Sequence, residues 1–257
     1  MSYGILTDLT KCIGCEACVN ACKEINNLPR EKEYNKLTST TWTYIKKVQG
    51  VNIRQQCMHC IDPTCVSVCP VGAFEKTAAG PVIYHEDRCM GCRYCIMACP
   101  FEIPTYEWDK ILPRVQKCIM CYEKRVSQGQ EPACTSVCPT GATLFGERDR
   151  LITIARQRIE ESPGKYVDQI YGLHEAGGTS VLYLSDIPFE QLGFKNAMKD
   201  MAYPVLTWRV LSKIPNVVSI GGVTMFGIWW IINRREKMEK VRNGELTMEE
   251  AFGEEEK

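Results

Sequence analysis

Short segments of alternating hydrophobic and polar residues occur along the first half of the chain, and this two-residue period is typical of β-strands. Gly50 separates two of these segments, and residues 77–80 separate another two, so both pairs are predicted to form hairpins. Residues 26–43 are polar and are predicted to form an irregular surface segment. The predicted strands are residues 4–8, 44–48, 51–53, 73–76 and 82–84.

A helical period replaces the alternation after residue 146. Apolar residues between positions 151 and 159 recur at three- and four-residue intervals, which predicts an amphipathic helix over 147–162 that ends at Pro163. Residues 177–184 begin with two glycines and continue as an apolar run, so we predict a turn into a buried strand. We expect this extension, residues 147–213, to pack on the N-terminal part of the chain.

The longest uncharged stretch covers residues 214–233, about the length that an α-helix needs to cross a bilayer. Trp229 and Trp230 lie near one end, as aromatic residues do at membrane interfaces. This pattern predicts a transmembrane anchor. A buried core helix is the alternative, and the length together with two adjacent glycines would allow it.

More basic residues follow the predicted anchor than precede it, so the positive-inside rule places the charged tail, residues 234–257, in the cytoplasm. Residues 1–9 contain neither a basic segment followed by an apolar one nor a pair of arginines, so no cleavable signal peptide is expected there. The rest of the chain would then lie in the periplasm, as part of a protein of the inner membrane with a single span.

Composition adds one decisive feature to this pattern, which is the number of cysteines. The chain of 257 residues has 31 basic and 31 acidic residues, so its balanced charge gives no reason to expect a nucleic-acid partner. It also has 16 cysteines, all of which fall in four runs. The runs are Cys12-Cys15-Cys18-Cys22, Cys57-Cys60-Cys65-Cys69, Cys89-Cys92-Cys95-Cys99 and Cys118-Cys121-Cys134-Cys138.

The third run has the spacing that ligates a cubane [4Fe-4S] cluster. Two residues separate its successive first three cysteines, three residues separate the third from the fourth, and Pro100 follows. In this bacterial ferredoxin pattern the first three thiolates bind one cluster and the fourth binds its neighbour. The other runs are variants, with insertions in the second and fourth and Lys23 in place of proline in the first. Four [4Fe-4S] clusters are therefore predicted.

Disulfides and structural zinc are two other uses of cysteine. Exported proteins often hold even numbers of cysteines in disulfides, but such frameworks are usually much shorter than this chain. Four-thiolate zinc sites use pairs of cysteines, whereas these runs are triplets with a fourth cysteine and, in three of them, a proline. A membrane-tethered zinc or disulfide scaffold remains the alternative from another functional class.

The fourth cysteine of each run is expected to bind the cluster of a partner run. The pairing of the runs therefore decides which thiols share a cluster. The second and third runs are close in sequence and form one two-cluster unit, which leaves the first and fourth runs to form another. Sequential pairing, of the first run with the second and the third with the fourth, is the competing topology. The predicted ligand sets are Cys12, Cys15, Cys18 and Cys138; Cys118, Cys121, Cys134 and Cys22; Cys57, Cys60, Cys65 and Cys99; and Cys89, Cys92, Cys95 and Cys69.

Nothing in the sequence indicates a catalytic site for an organic substrate. There is neither a phosphate-binding loop nor a nucleophile elbow, and there are three histidines. His59 lies inside the second run, where hydrogen bonding to a cluster or filling of a turn is expected rather than metal binding. His85 and His174 are isolated, and structural roles are expected for both.

Several motifs extend beyond the cysteines themselves. They are Cys57-Met-His-Cys-Ile-Asp-Pro63, Val68-Cys-Pro-Val-Gly-Ala73, Gly91-Cys-Arg-Tyr-Cys95, Ala98-Cys-Pro-Phe101, Gly129-Gln-Glu-Pro-Ala-Cys134 and Gly177-Gly-Thr-Ser-Val-Leu-Tyr-Leu184. With these motifs, residues 4–190 resemble the four-cluster iron–sulfur subunits of membrane-bound respiratory formate dehydrogenases and nickel–iron hydrogenases. The wider group also serves reductases of dimethyl sulfoxide and polysulfide.

The resemblance implies an electron relay rather than a catalyst. Two kinds of partner are implied: a catalytic subunit with a molybdenum or tungsten bis-pterin or a nickel–iron centre, and an integral membrane subunit that reacts with quinone or carries haem. Electrons from formate or hydrogen would pass to the membrane. The alternative direction runs from quinol to a terminal reductase, but the single anchor favours the donor-oxidising branches. Export with a partner that carries a twin-arginine signal is also implied.

The expected fold class is α+β, with two nested two-cluster ferredoxin units, many loops and one C-terminal transmembrane helix. Residues 1–49 together with 106–146 would form the outer unit, and residues 50–105 the inner unit. The extension 147–213 would follow, and then the anchor and the charged tail.

Overall fold

The computed structural model describes residues 2–195 and 198–253. The chain divides into two compact units, Met1–Val205 and Leu206–Lys257. The first unit contains every cysteine run, and the second contains the long apolar helix. Mixed helix and strand content agrees with the expected fold class.

Regular elements in the first unit are short, and loops join them. Within the described residues the strands are β1 (Tyr3–Asp8), β2 (Tyr44–Val48), β3 (Val51–Gln55), β4 (Phe74–Lys76), β5 (Val82–Tyr84), β6 (Thr105–Tyr106), β7 (Val115–Gln116), β8 (Thr143–Glu147) and β9 (Val181–Leu184). The helices are α1 (Ala17–Ile25), α2 (Thr64–Ser67), α3 (Tyr94–Ala98), α4 (Ala133–Ser136), α5 (Arg148–Glu161), α6 (Tyr203–Leu211), α7 (Ile214–Arg242) and α8 (Met248–Phe252). Short 3-10 turns occur at Leu9–Lys11, Glu86–Arg88, Val126–Gln128 and Glu175–Gly177.

The sheet that holds the first unit together joins distant parts of the chain. Strand β1 lies at its centre, antiparallel to β8 and parallel to β9. Ile5 faces Phe145 on one side and Val181 on the other. Both faces of this sheet are covered, because β9 is buried at all four positions. Strand β1 can therefore pair with β8 and β9 only after most of the chain has been synthesised.

Helix α5 covers one face of this sheet. Leu151 and Ala155 pack against Leu6, Leu182 and neighbouring apolar side chains. This confirms the predicted amphipathic helix, because the residues that recur at helical intervals are those that face the sheet.

A buried ion pair fixes the same helix at its other end. The Asp8 carboxylate is fully buried and accepts hydrogen bonds from Arg158 at 2.8 Å and from the Tyr166 hydroxyl at 3.0 Å. Such a carboxylate is stable in the interior only while these donors remain in place. The contact joins the end of β1 to the extension and supports the expectation that the extension packs on the N-terminal part of the chain.

Three two-stranded hairpins complete the first unit. Strands β2 and β3 pair across Gly50, and β4 pairs with β5, as the alternation of residues predicts. The third hairpin, formed by β6 and β7, has only two residues in each strand and was not predicted. Residues 26–43 form turns and bends, in agreement with the irregular segment expected there.

The second unit consists mainly of α7 and α8. Within the described residues, Tyr203–Arg242 is the one helical stretch long and apolar enough to cross a bilayer, and its most apolar window of 18 residues has a mean hydropathy of 1.4. None of its most apolar window is buried, so the buried-helix alternative does not describe this structure. Helix α8 begins with a capping box in which the Thr247 hydroxyl and the Glu250 carboxylate satisfy each other's backbone N–H groups.

Candidate cluster-binding sites

All sixteen cysteines lie in the first unit, and none of them is in a disulfide. The disulfide alternative therefore does not describe this structure. Cys15 and Cys92 are exposed, and the other cysteines are buried or half-buried.

One set of thiols surrounds a cavity beside β1 and α1. A Cβ at Gly14, in the turn between the first two ligands, would lie 2.6 Å from Asn52 Oδ1, and the Gly14 φ is +71°. Glycine is therefore required at this turn. Asn52 also donates from Nδ2 to the Cys12 carbonyl at 2.8 Å, which joins the turn to β3. We call the cysteines that line this cavity group A: Cys12, Cys15, Cys18 and Cys138.

A similar cavity lies beside α3 and β4. Gly91 occupies the equivalent turn with a φ of +73°, and a Cβ there would lie 2.8 Å from the Pro113 carbonyl oxygen. The Cys69 sulfur accepts a hydrogen bond from the Ala73 backbone N–H at 3.2 Å. We call the cysteines that line this second cavity group D: Cys69, Cys89, Cys92 and Cys95.

The remaining cysteines of the second and third runs meet around Cys60. Burial raises the pKa of the Cys60 thiol well above its ordinary value, and the neighbouring thiols of Cys57, Cys99 and Cys65 raise it further. The first three of these four cysteines in sequence belong to the second run, and Cys99 ends the third. We call them group C: Cys57, Cys60, Cys65 and Cys99.

The last four cysteines meet around Cys118. Burial raises the pKa of this thiol well above its ordinary value, and the thiols of Cys22, Cys57, Cys134 and Cys121 act in the same direction. Cys57 already belongs to group C, so it marks a contact between two groups. We call the other cysteines group B: Cys22, Cys118, Cys121 and Cys134.

One backbone feature recurs in all four runs. The second residue after the first cysteine has a positive φ each time, and it is Gly14, His59, Gly91 or Met120. A left-handed residue here turns the chain back, so that the second thiol can reach the same space as the first. Two of the four are not glycine, and for these the surrounding structure must hold the strained turn in place.

The thiol–thiol interactions indicate which groups are neighbours. Cys18 of group A interacts with Cys134 of group B. Cys118 of group B interacts with Cys57 of group C, and Cys95 of group D interacts with Cys65 of group C. The order is therefore A, B, C and D, and the exposed cysteines, Cys15 and Cys92, lie in the two terminal groups.

The chemistry of these groups suits a cubane cluster. Burial raises the pKa of Cys18 to about 11, and it raises that of Cys22, Cys65 and Cys95 to about 12. These thiols are therefore protonated at neutral pH unless a metal displaces the proton. Two of the groups each surround a cavity, and four converging thiols are the donor set that a [4Fe-4S] core requires. Among the described residues, no group of three or more His, Cys, Asp or Glu side chains is arranged to hold a single metal ion.

His59 is a structural histidine in this fold. It is buried, and burial lowers its pKa well below the ordinary value. Its Nδ1 accepts a hydrogen bond from the Val82 backbone N–H at 2.9 Å, so the neutral ring carries its proton on Nε2. This contact holds the turn of the second run against β5. His85 contacts Glu75 and His174 contacts Asp200, both at 3.0 Å, as isolated pairs.

Two cations, the buried Arg54 and the half-buried Lys76, lie among the cysteine groups, and the sequence did not predict either of them. Burial would lower the pKa of Arg54, but the thiols of Cys134 and Cys18 raise it above its ordinary value. Burial lowers the pKa of Lys76 to about 8, although the thiols of Cys60 and Cys57 oppose this. Both residues lie on or at the end of short strands whose periodicity gives no sign that a charge points inward.

Comparison with known families agrees with this chemistry. Two family descriptions match the chain, both given as a 4Fe-4S dicluster domain, one over residues 48–148 and the other over residues 11–73. The two matches overlap and together include all four cysteine runs. They show that the chain binds [4Fe-4S] clusters.

The chain is also similar to several curated proteins. It is 39% identical over 254 residues to a protein of Nitratidesulfovibrio vulgaris Hildenborough, covering 92% of this chain and 68% of the relative. It is 37% identical over 236 residues to the hydrogenase-2 operon protein HybA of Escherichia coli O157:H7, covering 74% and 72%. It is 38% identical over 198 residues to the formate dehydrogenase-O iron–sulfur subunit of Escherichia coli K12, covering 70% and 65%.

Proposed function

Because the chain belongs to the family of iron–sulfur subunits of formate dehydrogenase and hydrogenase complexes, we propose that it relays single electrons through four [4Fe-4S] clusters. The electrons come from a formate- or hydrogen-oxidising catalytic subunit and go to a quinone-reactive membrane subunit. The observation that carries this proposal is the convergence of sixteen thiols into four neighbouring groups of four.

Each group is proposed to hold one cluster. Three ligands come from one run and the fourth comes from the end of the partner run, in the exchange expected of two-cluster ferredoxin units. Groups A and B would form the outer unit, residues 1–49 with 106–146, and groups C and D the inner unit, residues 50–105. The interactions of Cys22 with Cys134 and Cys121, and of Cys99 with Cys57, support this nested arrangement over sequential pairing.

The spatial order of the groups supports a single electron path from A to D or from D to A. Groups B and C contribute no exposed cysteine, so partners would exchange electrons with the terminal groups. Bound clusters supply the one-electron redox chemistry. The chain contributes the burial that excludes water, the hydrogen bonds that sulfur atoms accept, and the charges that set the potential of each site.

The relatives support a proposal for the partner subunits. The named relatives include a formate dehydrogenase subunit and a hydrogenase operon protein, so a catalytic subunit with a bis-pterin metal centre or a nickel–iron centre is proposed. An integral membrane subunit with quinone or haem is proposed as the electron acceptor. No residue of the described chain is proposed to act on an organic substrate.

The apolar helix supports a membrane location. We propose that α7 crosses the inner membrane once, with the cluster-binding unit in the periplasm and the C-terminal tail in the cytoplasm. The excess of Lys and Arg after residue 233 supports this orientation. Export would then occur together with a partner that carries the signal.

Protease treatment of right-side-out spheroplasts tests the orientation. Protease added outside is expected to cut loops of the cluster-binding unit, while an epitope on the C-terminal tail remains intact until detergent opens the membrane. The detergent-treated sample is the control for accessibility. A cluster-binding unit that is protected in intact spheroplasts and cut only after detergent would contradict the proposed orientation.

Iron analysis of the full chain, purified without oxygen, tests the proposed function. About sixteen iron atoms per chain, four for each cubane, and a brown colour that bleaches on reduction are expected. The zinc alternative predicts a colourless protein with stoichiometric zinc and little iron. That second result would refute the electron-transfer proposal.

A further inference from the structure

Arg54 stands out among the charged residues of the first unit because it is buried between two cysteine groups. It lies on β3, is 2% exposed, and lines the cavity of group A. Its guanidinium also interacts with Cys134 and Cys118 of group B. A single cation therefore acts on thiols of both groups.

No carboxylate neutralises this charge. Within the described residues, no ion pair includes Arg54. Nε donates to the Thr43 hydroxyl at 3.3 Å, and Nη2 donates to Gln56 Oε1. Nη1 has no hydrogen-bond partner in the described part of the chain. An unpaired buried guanidinium is costly, so the fold must supply negative charge nearby.

The cysteine groups are the available source of that charge. A cubane core held by four thiolates carries net negative charge, and reduction adds one electron to it. A fixed cation nearby stabilises the reduced form more than the oxidised form, which raises the reduction potential.

The backbone around Arg54 keeps the guanidinium in place. Arg54 is paired with Ile45 in the β2–β3 hairpin, and the Tyr183 hydroxyl donates to the Arg54 carbonyl at 2.7 Å. Tyr183 belongs to β9 of the central sheet. Since the residue is held from two sides, its charge stays at a constant place between the two groups.

We propose that Arg54 is a shared positioning residue whose charge raises the reduction potentials of the clusters in groups A and B together. This inference rests on the proposed function, because it requires clusters at both groups. It adds that two neighbouring sites of the electron path are tuned by one side chain rather than independently.

Redox titration of the full chain, followed by electron paramagnetic resonance, tests this inference. Arg54→Met, which keeps much of the side-chain volume, is expected to lower two of the four midpoint potentials. The reduced-to-oxidised ratio at a fixed potential should fall at least tenfold at both sites, a shift of about 59 mV for a one-electron couple. Arg54→Lys, which keeps the charge, is expected to restore both ratios to within about threefold.

Lys76→Met is the matched control, because Lys76 is a partly buried cation whose thiol neighbours are Cys60 and Cys57 of group C. The Lys76→Met variant is expected to lower one midpoint potential. That potential should be one of the two that Arg54→Met leaves unchanged. Arg54→Gln is prepared in parallel, and the titration uses whichever neutral variant retains the iron content of the unmodified chain.

Three results would overturn the inference: a shift at one site only, no shift at any site, or equal shifts in Arg54→Lys and the neutral variant. Loss of the outer two clusters in both neutral variants, with the inner two retained, would also overturn the inference, because Arg54 would then be required to hold those clusters rather than to set their potentials. Iron content of the unmodified chain separates the two proposals. A chain without iron refutes the proposed function. Four clusters whose midpoint potentials do not change in the Arg54 variants refute only this inference.

Discussion

Replacement of Cys69 with alanine is expected to remove the cluster of the third run while leaving that of the second run in place. Cys69 ends the second run in sequence, but it lines the cavity of group D with Cys89, Cys92 and Cys95. A cubane that loses one of four thiolate ligands becomes labile. The expected result is loss of about four of sixteen irons, together with one set of resonance signals.

Cys99→Ala is the matched control, because it makes the same chemical change at the equivalent position of the partner run. Cys99 interacts with Cys57 and with Cys60 of group C. This variant is therefore expected to lose the other inner cluster and to retain the one that Cys69→Ala loses. Identical spectra for the two variants, or loss of the second run's cluster in Cys69→Ala, would refute the exchange of ligands between runs.

A chain that ends before Ile214 is expected to leave the membrane fraction completely when it is produced without its partner subunits. Helix α7 has its apolar side chains exposed, and Ile220, Val223 and Phe226 are each more than 60% accessible. Transfer of such a surface from water to lipid is strongly favourable, so its removal should change the distribution from membrane to soluble. Ultracentrifugation of washed membranes, with iron measured in both fractions, provides the readout.

The control for this truncation is a chain that ends after Asn243, which lacks residues 244–257 with α8 but keeps α7. It is expected to remain in the membrane fraction and to resist extraction with salt or alkaline carbonate. A shorter chain that still sediments with membranes in the absence of partners would show that another surface holds the protein there. The anchor proposal would then be withdrawn.

Local sequence patterns predicted the short-range structure well, because the patterns and the structure depend on the same neighbours. The alternation around Gly50 predicted β2 and β3, and helical spacing predicted α5 within one residue at each end. The six-residue strand at the N-terminus was also predicted. What the alternation could not reveal is that this strand lies between β8 and β9, since its partners are more than 130 residues away.

The order of the cysteine groups in space could not be predicted from their order in sequence. A run that lies inside the nested unit would be expected to occupy the middle of the proposed electron path. The thiol interactions instead put group D beside group C and group C beside group B, which supports a place for group D at one end of the proposed path. Position in the sequence suggests which runs share ligands, whereas the packing of the first unit decides which groups meet.

The burial of Arg54 and the left-handed backbone of His59 escaped prediction for a related reason. Ile53 and Arg54 are consecutive and both buried, so β3 is covered on both faces and a half-buried alternation does not apply to it. His59 has the same left-handed backbone as Gly14 and Gly91, but histidine gives no local sign of such a turn. In both cases the environment comes from distant segments, Thr43 and Tyr183 for Arg54 and Val82 for His59.

The central position of β1 also governs the order in which the protein can be assembled as it is synthesised. Groups C and D have all of their cysteines once residue 99 has left the ribosome, whereas group A waits for Cys138 and β1 waits for β8 and β9. Since chains emerge from the N-terminus, the inner sites can receive iron and sulfide while the first strand is still unpaired. The outer half, whose synthesis begins first, is thus the last to mature, and an early strand must be kept from aggregating until the end of synthesis.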